Sequence, residues 1–440
     1  MANTKLTRNN NSGDSRRKMT WSWWIKRSKL GLGGGENSDI QYLYNQYRSA
    51  DNYNSGVLFQ SDDSIRFWDY GGSSNDLDLQ TTRLFRDTNG FYHIVLAIDT
   101  TQATASNRIK LYINGVQETA FDVATYPAQN HEVRMGEAGS AQQQQLGVQG
   151  YGSTYQSYFD GVMSHVHFID GTAYDATAFG STDATTGEWQ INTSPSVTYG
   201  TNGFFILKDG NSVTDASPNS NNFTVGGGTL TKTEDNPSNV FATFNPLFAY
   251  VNGGSVQRPA YSNGNNTATF DNGGLNEHAP STLAPSSGKY YAEFKWVSSH
   301  GDGSTGVGIF ATDVNTNNDI NAQSYLYMGN GEKRMLNSAA AYGASWTTGD
   351  IISIALDCDN NTVTFYKNGA TQGALSIASG NNYYMYCTDY DNKVVNANFG
   401  NGYFGTTAVS SAGTNASGIG IFEYDVPANF TALSTKGLNL

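Results

Sequence analysis

FYHIVLAIDTTQATASNRIKLYINGV, residues 91–116, and GDIISIALDCDNNTVTFYKNGA, residues 349–370, follow one pattern in distant parts of the chain. In each, an apolar strand ends at an aspartate, Asp99 or Asp357, and a polar turn follows. A second strand then closes on Asn-Gly, at Asn114-Gly115 or Asn368-Gly369. Asn and Gly tolerate the positive φ that a type I′ hairpin demands, so each stretch predicts an antiparallel strand pair. Ile109, Leu111 and Ile113, like Val363 and Phe365, alternate with polar residues, which gives each hairpin one dry face. Further out, TWSWWIKR (residues 20–27) sets Trp21, Trp23 and Ile25 on one face and Thr20, Ser22, Trp24 and Lys26 on the other. Helical periodicity is missing, and short alternating runs bounded by Gly, Asn, Asp and Ser recur. The expectation is an all-β protein of two antiparallel β-sandwich, jelly-roll-like domains built around a similar hairpin.

Composition agrees and narrows the function classes. The 440 residues are 38% hydrophobic, 13% aromatic and only 14% charged, too aromatic and too weakly charged for a disordered chain. A net charge of −13 supplies no overall drive toward nucleic acid or an anionic membrane. Residues 1–18 lack the apolar stretch of a signal peptide, and no later run approaches the ~18 apolar residues of a membrane span. The expectation is therefore a protein made in the cytoplasm of a host cell, with no membrane insertion. Two cysteines, Cys358 and Cys387, are too few for a disulfide framework, and their spacing leaves open whether they are bridged.

Four segments follow from composition. Residues 1–234 form the first sandwich, opened by a basic arm; the first 34 residues hold eight cations and one acid, Asp14, a balance of +7 against −20 for the rest. Residues 235–287, rich in Asn, Pro, Ser and Gly, read as a connector. Residues 288–404 form the second sandwich, and 405–440 a tail with Phe422, Val426, Phe430, Leu433 and Leu438. A cationic arm on an acidic chain and an apolar tail both suit burial against a partner, including copies of the same protein.

Within residues 288–404, GKYYAEFKW (288–296), GVGIF (306–310), the 349–369 hairpin and NANFG (396–400) resemble a SPRY domain in residues and order. That resemblance implies a bent β-sandwich used as a binding module. YHIVLAID (92–99), IKLYINGV (109–116) and FDGVMSHVHFIDGTAYD (159–175) resemble the laminin-G and concanavalin A-like lectin folds. With RRKMTWSWWIKRS (16–28), the run at 200–228, NVFATFNPL (239–247) and VPANFTALSTKGL (426–438), the whole order of blocks is similar to structural proteins of tailed bacteriophages, especially marine ones.

Chemistry is sparse. Lectin-like hydrolases place paired carboxylates on one strand as E-x-D-x-E, and the nearest approach, Glu423-Tyr424-Asp425, runs into Pro427 instead. No G-x-S-x-G, P-loop, H-E-x-x-H or paired C-x-x-C occurs. His165 and His167 stand two apart, a chelate spacing if Asp160 or Asp170 comes near. No cofactor is expected; laminin-G relatives often bind calcium, but no residues single out a cage. The recognition candidates are aromatic residues in small polar loops: Tyr151, Tyr155 and Tyr158, then Tyr342 and Trp346, with Trp24 as an outward ring, where flat amphipathic side chains can stack on sugars. For each, packing on a neighbouring strand or subunit is the competing reading. The expected function is a non-enzymatic virion surface protein, capsid-associated or short and fibre-like, that binds glycans or a host surface. The alternatives are a purely architectural capsid or tail decoration protein, a tail fibre, or, less favoured, a glycan depolymerase. Expected partners are other virion proteins, a host surface glycan, and copies of itself, a trimer by analogy with phage fibres.

Overall fold

Both Asn-Gly turns take the conformation their residues predict: Asn114 and Gly115 have φ of 49° and 81°, Asn368 and Gly369 of 48° and 80°. The likeness extends to side chains. Asn114 Oδ1 accepts from the His93 amide at 2.8 Å, and Asn368 Oδ1 from the Ile351 amide at 2.9 Å. Asp99 and Asp357 each cap the polar turn that follows, at Thr101-Gln102 and Asn360, and those hydrogen bonds hold both carboxyls below their ordinary range although partial burial opposes it. The computed structural model describes residues 3–10, 15–31, 39–48, 52–138, 143–208, 212–252, 255–271, 273, 275–312 and 320–440.

The chain divides into units 1–232 and 233–440, each an antiparallel sandwich with its own core. Among the described residues, the first unit holds an eight-stranded sheet ordered Phe121–Thr125, Asn75–Leu84, Ser64–Gly71, Tyr53–Phe59, Gln41–Arg48, Gln143–Leu146, Lys5–Asn9, Thr224–Gly227. Its six-stranded sheet runs Phe204–Ile206, Gly161–Asp170, Lys18–Arg27, Tyr92–Asp99, Ile109–Ile113, Val116–Glu118. Trp21, Trp23 and Ile25 fill the space between the sheets, as their alternation predicts. The other face of that strand is also buried. Trp24 is only 4% exposed and stacks on His93 at 4.6 Å, so it is not the outward ring expected from the sequence. Trp189, from a distant segment, stacks on His93 too and donates to its Nδ1 at 2.9 Å; Nε2 therefore carries the proton toward Ser22 Oγ, and burial pushes the imidazole down to about 3.

The basic segment is no free arm. Lys5 and Arg8 lie in the Lys5–Asn9 strand, and Lys18, Lys26 and Arg27 in the Lys18–Arg27 strand. Arg16 and Arg17 pair with Glu132, Arg16 also with Glu137, Lys18 with Asp99 and Lys29 with Asp39. Arg27 is fully buried and meets Asp63, itself 1% exposed, at 2.9 Å. These cations are spent inside the first sandwich because its own loops supply the acids; Asp14 lies outside the described residues.

In the second unit the larger sheet runs Ala260–Ser262, Thr267–Phe270, Lys393–Asn398, Lys289–Ser298, Ile351–Asp357, Thr362–Lys367, Ala370–Ser376. The six-stranded sheet runs Glu277–Pro280, Tyr383–Asp389, Gly306–Ala311, Ser324–Met328, Glu332–Met335, Ser338–Ala341. The stretch read as a connector is thus part of this sandwich: it supplies three of these strands, and Ala242, Phe244, Ala268, Phe270 and Ala279 enter the core. The C-terminal stretch also folds back. Thr431–Ala432 pairs in parallel with Lys289–Ser298, while Phe422, Val426 and Leu433 are buried and Leu438 stays exposed. The two ends of the unit meet, with Ala242 donating to Leu433 O and Thr435 to Val240 O, both at 2.9 Å.

One buried carboxylate latches that C-terminal stretch. Glu293, on a central strand with no measurable exposure, accepts from the Glu423 and Tyr424 amides at 2.8 and 2.9 Å. Tyr291 Oη and Asn398 Nδ2 complete its shell at 3.2 and 3.3 Å. Burial pushes the carboxyl up to about 7, against these hydrogen bonds, which favour the ionised form. Cys358 and Cys387 are both free thiols, and burial raises both, Cys358 to about 12. No helix among the described residues is long and apolar enough to cross a membrane.

Candidate functional site

The most exposed aromatic arrangement on the first unit grows from a two-residue hairpin. Gln149–Tyr151 pairs with Thr154–Gln156 around Gly152, whose φ of 63° suits the tight turn and whose missing Cβ faces open space. Asn45 fixes the hairpin to the main sheet: its Oδ1 accepts from the Gly150 amide at 3.0 Å while its Nδ2 donates to Asn54 Oδ1 at 2.8 Å. Gln149 adds a bond to Tyr42 Oη at 3.0 Å. Thus anchored, the hairpin lays Tyr151, 48% exposed, against Tyr47, with ring centroids 4.2 Å apart and planes at 26°. Tyr151 Oη donates to Asn52 Oδ1 at 3.0 Å. On the opposite face of the same strand pair, where Arg48 opposes Tyr53, the half-buried Tyr53 ring lies between two guanidinium groups, Arg48 at 4.3 Å and Arg134 at 4.4 Å. Around Tyr47 and Tyr151 flat ring surface, hydroxyls and the Asn52 amide converge, the elements that stack on and hydrogen-bond a polyhydroxylated ligand.

The other predicted aromatics divide. Tyr155 is half-buried beneath Lys5 Nζ, 2.8 Å from its ring centroid, and Tyr158 is half-buried on the approach to the next strand. Trp346 is 1% exposed, packed on Trp296 at 5.5 Å and Tyr327 at 5.9 Å, so it is core and not a binding ring. Tyr342, half-buried, packs edge-on against Tyr327 and Phe365, and its hydroxyl donates to Gly373 O. A short loop leaving the sheet returns its large rings to the nearest apolar wall, which is why loop position misleads for this pair. Tyr47 and Asn52 were missed; the signal was NQYRSADNYN (residues 45–54), a tyrosine and an asparagine amide a few residues apart in a polar stretch.

The histidine pair does not form a chelate. A register shift between Ser164 and His167 breaks the alternation, and His165 takes φ of 47°. His165 Nδ1 meets Ser164 Oγ at 2.7 Å; His167 Nδ1 meets Tyr199 Oη at 3.0 Å and its ring stacks on Phe205 at 3.9 Å. Burial holds the His167 imidazole well below its ordinary value. Asp170 caps Ser15 and Asn202 instead. Among the described residues one other group, Asp69, Asp76 and His131, has ligand atoms close enough for a metal. Arg134 already provides its cation, with Nη1 2.8 Å from Asp69 and 2.9 Å from Asp76. Glu423 and Asp425 are turn caps: Glu423 accepts from the Ser410 amide and hydroxyl, Asp425 from the Thr414 amide at 2.7 Å and hydroxyl at 2.8 Å.

Two family models match the chain. Residues 2–177 match the concanavalin A-like lectin/glucanases superfamily, and residues 289–402 the SPRY domain. The chain carries a laminin-G-like, concanavalin A-like N-terminal domain and a C-terminal SPRY domain, both β-sandwiches. It is 36% identical over 118 residues to Ran-binding protein 9 of Danio rerio, covering 26% of this chain and 20% of that protein, and equally identical to Ran-binding protein 9 of Homo sapiens, covering 16% of it. The chain therefore spans about a fifth or less of the length of these curated relatives. Among solved structures, the SPRY domain of human HERC1 aligns at 23% identity over 35% of this chain and 96% of that one, with a TM-score of 0.28.

Proposed function

We propose that this chain is a non-enzymatic binding protein of a tailed-phage virion surface, capsid-associated or short and fibre-like, whose first module presents Tyr47 and Tyr151 to a glycan of the host surface. The single observation that carries the reading is that stack: two rings held by a hairpin whose polar anchors are all internal, with one ring half open to solvent. The resemblance of the block order to phage structural proteins supplies the virion context, with other virion proteins and copies of the chain as neighbours. Against catalysis stands the use of Glu423 and Asp425, the nearest approach to a hydrolase pair, as turn caps. The SPRY module takes a protein, another virion subunit, in the same reading; the match to Ran-binding proteins, named for a protein partner of their own, covers 118 residues, the length of one module.

The test is binding of the purified chain to a panel of immobilised bacterial lipopolysaccharides and capsular polysaccharides, beside the Tyr47→Ala/Tyr151→Ala double variant. Loss of two stacking rings should weaken binding about tenfold or more while the far-ultraviolet circular dichroism is unchanged. Equal binding by a folded double variant, or no binding to any glycan, would overturn the reading.

A further inference from the structure

Among the described residues, each of the four large sheets has two edges, and seven of these eight edges are blunted. Phe121–Thr125 carries a register shift and Asp122; Ala370–Ser376 faces a register shift in its partner and contains Gly373 at φ of 100°. Val116–Glu118 has only three residues and a carboxylate, Ala260–Ser262 three residues after Pro259, and Thr224–Gly227 ends in two glycines. Phe204–Ile206 is buried, and Glu277–Pro280 is buried and closes on proline. Bulges, charges, prolines and short lengths are how sheets avoid edge-to-edge pairing.

Ser338–Ala341, four residues long, has no bulge, charge, proline or glycine, and its face is open. It reads Ser-Ala-Ala-Ala, all four residues exposed, and pairs without a shift to Glu332–Met335. The hairpin turn between them is Leu336-Asn337, both at positive φ, 49° and 66°, with Leu336 53% exposed. A leucine is rarely found in that region and gains nothing there from water, so an apolar residue is held in a strained conformation at the tip of an open edge. Met335 and Ser338 flank the two-residue turn, and Tyr342 donates to Gly331 O at 3.2 Å, so Ser338, Ala340 and Tyr342 point their backbone groups into the sheet. Ala339 and Ala341 point theirs outward.

We propose that this edge pairs with the same edge of a second copy of the chain, antiparallel about a two-fold axis through Ala340, making one continuous sheet of the two six-stranded ones. In that register Ala339 of each copy opposes Ala341 of the other, and all four outward-pointing donors and acceptors of each strand are satisfied. Ala340 faces its own counterpart in a non-hydrogen-bonded pair, where side chains approach most closely and a methyl fits. The occupant is a second copy and not a foreign peptide because the strand offers little beyond backbone and methyl groups. Peptide-reading edges draw their specificity from side-chain contacts, of which one hydroxyl and three methyl groups offer few, whereas two-fold symmetry makes the strand complementary to itself. A contact this short is weak alone and becomes effective where many copies are held close together.

The full-length Ala340→Cys and Ala341→Cys variants under mild oxidation test the register, with the wild-type chain and its two native thiols as control. Across the axis the Ala340 Cβ atoms lie within disulfide reach and the Ala341 Cβ atoms do not, so Ala340→Cys should form a covalent dimer at least about tenfold faster than either comparison. Sedimentation velocity on the wild type should show a dimer that grows with concentration, and Ala339→Lys, on the open edge, should abolish it. Equal cross-linking of the two cysteine variants, a concentration-independent monomer, or a trimer untouched by Ala339→Lys would each overturn the proposal. If Ala339→Lys does not fold, the cross-linking rates decide. None of these readouts depends on glycan binding.

Discussion

Glu293→Gln isolates what one buried carboxylate does for the second module. Its carboxyl titrates near 7 where an ordinary one titrates near 4.5, a difference worth ~3 kcal/mol between the protonated and ionised forms. The folded chain holds this proton more tightly than the unfolded chain. Its contribution to stability is therefore fully present below about pH 4.5, declines as the pH rises, and is gone above about pH 7. A glutamine cannot titrate, so the stability difference between the two proteins should change by ~3 kcal/mol across that window. The amide carries a separate, pH-independent cost. The two carboxylate oxygens divide the Glu423 and Tyr424 amides between them, so the amide nitrogen must face one of these donors. A buried donor left without an acceptor costs ~1–3 kcal/mol. The assay is thermal melting of full-length protein from pH 4.5 to 8, following the second module's transition. At about 2–4 °C per kcal/mol, the wild type should lose roughly 6–12 °C over this range that the variant does not lose. Parallel pH profiles for the two proteins would refute the reasoning, as would a wild type that gains stability relative to the variant with rising pH.

Three further outcomes follow from the geometry. Arg27→Met leaves Asp63 in a dry core with, among the described residues, Arg86 and the Gly31 amide as partners, and should cost ~3 kcal/mol in urea unfolding; a loss under ~1 kcal/mol would show that Arg86 suffices. Glu423→Gln with Asp425→Asn should leave any action on polysaccharide unchanged, measured as reducing ends released; release by the wild type that the double change abolishes would establish a depolymerase. A fragment of residues 233–440 should melt cooperatively while 288–404 should not, because Phe244, Phe270 and Leu433 are core residues that the shorter piece lacks; two cooperative transitions of equal midpoint would contradict this.

The parts legible from sequence were those with local causes. The two Asn-Gly hairpins and the Trp21-Trp23-Ile25 face rest on turn chemistry and alternation within a few residues, and the structure matches them. What escaped was tertiary. In residues 235–287 the core residues Phe244, Ala268, Phe270 and Ala279 are too sparse among Asn, Pro and Gly to mark strands, and gain their burial only from partners such as Lys393–Asn398 and Tyr383–Asp389. The +7 of the first 34 residues looked free because Glu132, Glu137 and Asp63, which neutralise much of it, come from elsewhere in the chain. Trp24 looked outward because Trp189, whose ring shares His93 with it, lies far along the sequence. At the candidate site, Tyr151 was legible as an aromatic in a small polar loop. Its partner Tyr47 was not, since nothing local says which strand a hairpin will lie upon.

The meeting of Val240 and Ala242 with Thr435 and Leu433 has a consequence for how this module can be moved. Polypeptide entering and leaving the second unit does so at one corner, a hydrogen bond apart. A unit of that kind can be set into a surface loop of an unrelated host at little more than the cost of closing a short loop, because neither domain must stretch to meet the other. Grafting residues 233–440 between adjacent positions of a host hairpin is then expected to leave both partners folded, whereas a module whose ends lay on opposite faces would split its host.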